Sequence, residues 1–436
     1  MSEQKDNGRR EFLRKGTIAV AGGALVGGLP VNLRAGASEK NQIRLGLIGC
    51  GRRGTGAAFE ALRASVAVRL VAMGDTFEDM LNSSYSRISL EFKDQVDVPR
   101  DRRFVGFDAY EKVIDASDVV LLATPPPFRP MHFEAAIRAN KHVFMEKPLA
   151  VDVPGFHKIQ EIGKLAKEKR LNVVVGLQRR YNIASQEMVK KIQNGAIGDI
   201  KSLNVYYNVG APKIHPRIAG QTEMEYQLRN WRYFTWLWGG QIAGQAIHQV
   251  DAMNWVMQDF PVLAIGSGGR QAFKGPNQGN TYDHFYVEYQ YPNGVKMHMQ
   301  CRNIDNTWKR MGFEILGTSG YADERNRIYD EKGNIVWRFR ERHEVAGSTQ
   351  VEQNVFINAI LNGSYVNDTD YGAKSSLTTI MGRMATHSGQ EIKMEDVLAS
   401  NQNLGPKEYS WDAAMPDLPG EDGNYEIPIP GKTKVW

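Results

Sequence analysis

Gly49, Gly51 and Gly54 stand at the spacing G-x-G-x-x-G in the segment Gly49-Cys50-Gly51-Arg52-Arg53-Gly54, and Asp75 follows 21 residues beyond Gly54. Such a turn can hold a dinucleotide. The first glycine allows a tight turn, the second lets backbone N–H groups approach a pyrophosphate, and the third lets a helix pack closely on the preceding strand. An acid at the position of Asp75 hydrogen-bonds the adenosine ribose hydroxyls and repels a 2′-phosphate, which favours NAD. Arg52 and Arg53 lie in the same turn, where either can reach a 2′-phosphate, so NADP stays open as the alternative.

For that chemistry the glycines must lie between a strand and a helix. Ile43-Arg44-Leu45-Gly46-Leu47-Ile48 reads as the strand, Ala57 to Leu62 as the helix, and Val68 to Met73 as a second strand that ends in Gly74-Asp75. The alternation continues with a strand over Asp118 to Thr124, a helix around His132 to Ala139 and a strand from His142 to Met145. A helix near Gly155 to Lys169 and a strand from Asn172 to Gly176 complete it. This order predicts an α/β domain with a parallel, doubly wound sheet, in which ligands bind beyond the carboxyl ends of the strands. Thr124-Pro125-Pro126-Pro127 and Glu146-Lys147-Pro148 fall at two of those ends.

The motifs, taken in order, resemble the Gfo/Idh/MocA family of glucose-fructose oxidoreductase, inositol dehydrogenase and rhizopine-catabolism proteins. They are the glycine turn, Thr124-Pro125 with His132 downstream, the run Lys141 to Leu149 that contains Glu146-Lys147-Pro148, Gly176-Leu177-Gln178-Arg179-Arg180, and Gly239-Gly240 leading to His248-Gln249-Val250-Asp251. The resemblance runs from Asn41 to about Gly389 and implies an NAD(P)-dependent oxidoreductase acting on a sugar or polyol. It adds Thr124, Pro125, His132, Glu146 and Lys147 to the cofactor site. In that family the lysine of the Glu-Lys-Pro motif lies near both the nicotinamide and the substrate hydroxyls. Here it is Lys147, and a lysine at a strand end can hold a hydroxyl or a developing alkoxide and lower the cost of its charge.

His248 falls in a segment, Gln241 to Met257, that reads as a helix. Oxidising an alcohol by hydride transfer requires removal of the hydroxyl proton, and histidine is suited to accept it near neutral pH. Asp251, three residues on, shares a helix face with His248 and is expected to orient or charge-stabilise it. The family pattern places an Asp four residues before this histidine, where the chain has Gly244. His248 then works with Lys147 alone, or Gln245 substitutes as a neutral hydrogen-bonding contact.

The sequence divides into a Rossmann domain over 41–178, a substrate-binding and oligomerisation domain over 179–399, and an extended tail over 400–436. The second domain is expected to be α+β with an open, mainly antiparallel sheet, since Asp283 to Tyr291 and Lys296 to Arg302 are joined through Asn293-Gly294, a strong hairpin signal. In the family that sheet packs against its copy, so a homodimer or homotetramer is expected. Before His248 lies the run Asn230 to Trp238, mostly core, in which Trp236 is a candidate platform for a sugar ring. Arg180, Tyr181, Tyr207 and Arg232 are further polar candidates for a carbohydrate substrate. The tail, rich in Pro, Gly, Asn and Asp, is expected to wrap the surface or an oligomer partner.

Residues 1–37 read as a twin-arginine signal peptide: Arg9-Arg10-Glu11-Phe12-Leu13, a weakly apolar run from Thr17 to Leu29, then Ala35-Gly36-Ala37 as cleavage site. The product is expected to be exported, to the periplasm or the cell surface, with no membrane span after cleavage. Removing the leader lowers the formal charge from +5 to +2, and no basic stripe marks a nucleic-acid partner. Cys50 and Cys301, the two cysteines, are expected to be free, and no spacing predicts a metal. Export removes the enzyme from a soluble pool that would recycle its cofactor, so a tightly held dinucleotide must be reoxidised in place. One solution is a two-substrate redox cycle. The alternative is a glycoside hydrolase that works by transient oxidation, elimination, water addition and return of the hydride, and a third class is a non-catalytic NAD-binding sugar sensor.

Overall fold

In a computed structural model of the protein, residues 42–276, 278–340 and 347–436 are described; the expected signal peptide lies outside them. Six strands, β1 (Ile43–Ile48), β2 (Val68–Asp75), β3 (Arg103–Val105), β4 (Val119–Leu122), β5 (His142–Met145) and β6 (Val173–Val175), form a sheet in the order β3-β2-β1-β4-β5-β6. Every neighbouring pair is parallel. The order reverses between β1 and β4, and the crevice at that switch point is where such sheets bind ligands.

The apolar runs of the central strands follow from burial on both faces. Val119 and Leu121 of β4 pack with Leu45, Leu47 and the helix Arg52–Ala64 on one side. Val120 and Leu122 pack with Val113 and Ile114 of the helix Ala109–Ala116 on the other. The helix Val153–Glu168 begins where Asp152 caps it, its carboxylate accepting from Gly155 N at 2.9 Å.

Nine further strands form a second sheet: β7 (Ile200–Val209), β8 (Leu263–Gly269), β9 (His284–Gln290), β10 (Lys296–Asn303), β11 (Arg310–Gly317), β12 (Tyr321–Asp323), β13 (Arg327–Tyr329), β14 (Ile335–Arg338) and β15 (Ile392–Lys393). Their order is β14-β13-β12-β11-β7-β10-β9-β8-β15, and β7 with β10 is the one parallel pair. The fold is thus a Rossmann sheet joined to an open, mainly antiparallel sheet, as the sequence predicts. The Asn293-Gly294 turn joins β9 to β10. The helices Ile247–Met257 and Thr369–Ser388 cover one face of this sheet, where Leu203, Val205, Val287, Met297 and Met299 are buried.

Two segments late in the chain return to the first domain. The helix Ser348–Leu361 packs on Arg52–Ala64 and puts Phe356 and Ile357 into the Rossmann core, and Asn367 pairs with Val173 at the free edge of β6. Residues 400–436 hold no helix or strand beyond an isolated bridge between Pro419 and Tyr425, and they lie on their own chain. Trp411 packs at a tilt against Phe107 and Phe77, and Tyr409 against Phe128. Cys50 and Cys301 are buried free thiols. Among the described residues, no helix is long and apolar enough to cross a membrane, and no group of three or more His, Cys, Asp or Glu could hold a metal ion.

Candidate active site

A cleft of about 520 Å³ runs between the carboxyl ends of β1, β2, β4 and β5 and the second domain. That size suits a small-molecule ligand. Gly49 turns the chain at φ +94°, and a Cβ there would lie 2.7 Å from Ala123 C and Thr124 N, so only glycine lets the turn pass β4. A Cβ on Gly54 would collide with Gly49 O, which brings the helix hard against the turn. Gly51 faces open space, its nearest neighbour being Met80 Cε at 3.9 Å from a Cβ position. The exposed backbone there, at the N-terminus of Arg52–Ala64, fits a pyrophosphate.

Asp75 ties this turn to β2. Its Oδ2 accepts from Cys50 N at 2.6 Å and its Oδ1 from Phe77 N at 2.9 Å, while the carboxylate still lines the cleft. Burial pushes its pKa up from the ordinary value, and these N–H groups oppose the shift. Arg53 is held by Glu146 at 2.5 Å and Glu60 at 2.7 Å, so its charge is already matched and it is not free to meet a 2′-phosphate. Arg52 is exposed and lines the cleft. The residues present therefore fit a dinucleotide.

Thr124, Pro125 and His132 line the same cleft. His132 Nδ1 lies 3.2 Å from Thr124 Oγ1, its ring stacks on Tyr110 at 4.3 Å, and burial with nearby Arg129 pushes its pKa down to about 3. It is a neutral prop for the strand-end loop. Arg129, which no motif marks, clamps the two loops together: its guanidinium donates to Thr124 O at 2.6 Å and to Pro148 O at 2.5 Å. A charged residue one turn past the Thr-Pro motif is the available sequence signal.

At the other end, Lys147 Nζ donates to Gly244 O at 2.8 Å. Burial pushes its pKa down to about 8; Glu146 opposes this, and Arg129, Arg53 and Arg232 reinforce it. Gly244 lies in a π-helical turn, Ile242–Ala246, that leads into Ile247–Met257. A Cβ at Gly244 would overlap the Trp238 indole at Nε1, so the carboxylate of the family pattern has no room here. Its place beside Lys147 is taken by a main-chain carbonyl. His248 and Gln245 follow on the same wall. His248 Nδ1 and Gln245 Oε1 are both buried and have no hydrogen-bond partner. Desolvation, and then the charges of Lys147, Arg179 and Arg53, hold the imidazole pKa well below its ordinary value.

Tyr207 and Arg232 also line the cleft. Four expected site residues do not: Asp251, Arg180, Trp236, and Tyr181, which is buried with its hydroxyl donating to Asp368 Oδ2 at 2.5 Å. Asp251 does not partner His248: it is 1% exposed, accepts from Arg180 at 2.9 Å through both Nε and Nη2, and takes a third bond from Ser375 Oγ at 2.7 Å. A buried carboxylate is held by the nearest cation, and the Gln178–Tyr181 turn delivers Arg180 to it. Arg180 is thereby consumed. Trp236 is buried, with Nε1 donating to Gln227 Oε1 at 2.6 Å, and the aromatic residues that reach the cleft from this run are Trp231 and Trp238. Glu352 enters from Ser348–Leu361, a segment with no motif, and burial beside Glu146 raises its carboxyl pKa far above the ordinary value.

Residues 43–177 match the family model described as "Oxidoreductase family, NAD-binding Rossmann fold", and residues 185–323 match "GFO/IDH/MocA C-terminal domain". Among curated proteins, the chain is 24% identical over 262 residues to 2,7-anhydro-N-acetylneuraminate hydratase of Escherichia coli, covering 59% of this chain and 64% of that protein. It is 24% identical over 294 residues to inositol 2-dehydrogenase of Rhizobium meliloti, covering 67% and 75%. The matched stretch thus spans just under two thirds of the hydratase. Among solved structures, scyllo-inositol dehydrogenase from Lactobacillus casei with bound NAD(H) and scyllo-inositol shares the fold at a TM-score of 0.62 and 18% identity, covering 81% of this chain and 99% of that one. With both halves of one family matched in order over more than half of the chain, and with a cradle that fits a dinucleotide, the chain belongs to the Gfo/Idh/MocA oxidoreductases and binds NAD.

Proposed function

We propose that this protein is an exported NAD-dependent oxidoreductase that oxidises a hydroxyl of a sugar, glycoside or polyol. The observation that carries the reading is the set of groups at the reacting end: the Lys147 ammonium beside two buried polar atoms, His248 Nδ1 and Gln245 Oε1, that have no partner. Buried polar groups are normally hydrogen-bonded, and a polyhydroxy ligand satisfies such groups. Bound NAD supplies the acceptor for the carbinol hydride. His248, kept neutral, takes the hydroxyl proton, and Lys147 spends one N–H on Gly244 O and keeps two for the reacting oxygen. Tyr207, Arg232 and the Trp231 and Trp238 rings form the remaining substrate wall.

The hydrolytic alternative draws support from the hydratase among the relatives, whose name describes addition or loss of water on a sugar. Incubating the purified protein with a panel of glycosides and polyols separates the two readings. NADH formed in proportion to a keto product supports the oxidoreductase. Released aglycone without net NADH transfers the assignment to the hydrolase, and failure to produce either sinks both.

Residues 1–37, read as a twin-arginine signal, support export of a folded, cofactor-loaded protein, with NAD held as a resident group. Mass spectrometry of the exported protein is expected to find an N-terminus near Ser38, and an intact Met1 there would contradict export by this route. The outer face of the second sheet exposes Ile265, Tyr286 and Leu316, with Trp308 beside it, which supports a homodimer or homotetramer built on that face. Light scattering in solution tests it, a monomeric mass being the contrary result.

A further inference from the structure

We infer that the C-terminal tail, together with the helix Glu223–Arg229, is a strap that keeps NAD in its cleft, with Trp411 and Arg229 as positioning residues for its adenosine end. The inference rests on NAD occupying the cleft and is independent of the reaction proposed above. Phe77 and Phe107 line the cleft next to Asp75 on the Rossmann side, and Leu228 and Trp231 line it from the second domain. Arg229 bridges these two walls: its guanidinium pairs with Asp79 at 2.8 and 3.0 Å and lies 3.9 Å over the Phe77 ring.

The tail lies behind both walls. Trp411 packs at 4.9 Å from Phe107 and 5.6 Å from Phe77, and Tyr409 at 4.6 Å from Phe128. Further along, Asp417 O accepts from Gln227 Nε2 at 2.7 Å, and the Tyr425 hydroxyl bonds Glu223 and accepts from Arg217 at 2.8 Å. The tail is therefore fastened by its rings to the Rossmann wall and by hydrogen bonds to the helix of the opposite wall. Parting the walls to release a dinucleotide would pull aromatic surface apart and break the Arg229 contacts. Most of the resistance belongs to the rings, since Asp79 is exposed and an exposed ion pair contributes little.

The test follows NADH leaving the full-length holoprotein, read as the loss of protein-bound nucleotide fluorescence on mixing with excess NAD. Trp411→Ala is expected to speed release about ten-fold or more and Arg229→Gln about three-fold, while Leu418→Ser, an exposed change in the same tail, leaves it unaltered. Hydrogen exchange on the unmutated protein gives a reading that does not depend on how the variants fold, with NADH expected to slow exchange at 409–417. Release rates within two-fold of the parent in both variants, or no protection of 409–417 by NADH, overturn the strap. A parent that binds no NADH overturns the cofactor assignment and the strap with it.

Discussion

The two ends of the cleft are built on opposite plans. At the adenosine end Asp75 spends both carboxylate oxygens on Cys50 N and Phe77 N, and Arg53 is balanced by Glu60 and Glu146. Those bonds hold the glycine turn in shape. At the reacting end His248 Nδ1 and Gln245 Oε1 are buried without partners, and Lys147 and His248 have pKa values pushed down by burial and by neighbouring cations. Asp75 and Arg53 find their partners within the protein. The two unpartnered atoms of the reacting end keep hydrogen-bonding capacity in reserve for a ligand.

The contrast breaks most sharply at His248. His248→Gln is expected to lower kcat/KM about 10³-fold, the worth of a general base, with NADH affinity changed only a few-fold. Steady-state kinetics and nucleotide titration on the same preparation check this, and equal loss of both would place His248 with the cofactor contacts instead. Asp251 gives the next largest effect, and of a different kind. Because it holds buried Arg180, Asp251→Ala is expected to cost about 3 kcal/mol of unfolding free energy in urea while the folded fraction keeps its kcat within a few-fold. A stable variant with collapsed kcat would return Asp251 to the role of partner for His248.

At the adenosine end, Asp75→Asn removes the charge and sets an amide NH2 against one of the two N–H groups, Cys50 N or Phe77 N, that the carboxylate accepts from. NAD affinity is expected to fall about ten-fold and NADP to become the better relative ligand, as measured by competitive titration. Unchanged discrimination would mean that the carboxylate is purely structural. The smallest effect needs no mutation. Lys147, with its pKa pushed down to about 8, is a charged donor below that pH and loses its charge above it, so kcat/KM is expected to halve near pH 8 and continue down. His248 is already neutral across this range and contributes no limb there. An alkaline limb that stays put in Lys147→Arg would assign the titration to another group.

The glycine turn, the strand-end motifs and the Asn293-Gly294 hairpin are legible in the sequence because each rests on a local backbone requirement. The helix Thr369–Ser388 is not, since it is buried on nearly every side and so carries no apolar stripe to read. Within the site, Lys147, His248 and Gln245 lie in or beside motifs and Arg129 one turn past one, whereas Tyr207, Trp231, Arg232, Trp238 and Glu352 reach the cleft by packing.

By itself, the sequence determined a dinucleotide fold, the order of its motifs and the family to which they belong. Only the tertiary structure decided how the charges pair and what fills each space. Asp251 belongs to Arg180, 71 residues away, and to Ser375, 124 residues away, and the carboxylate excluded at Gly244 is excluded by an indole. Helical spacing says which face a side chain shares, but a buried charge takes the nearest partner in space, and that partner is set by how distant segments pack.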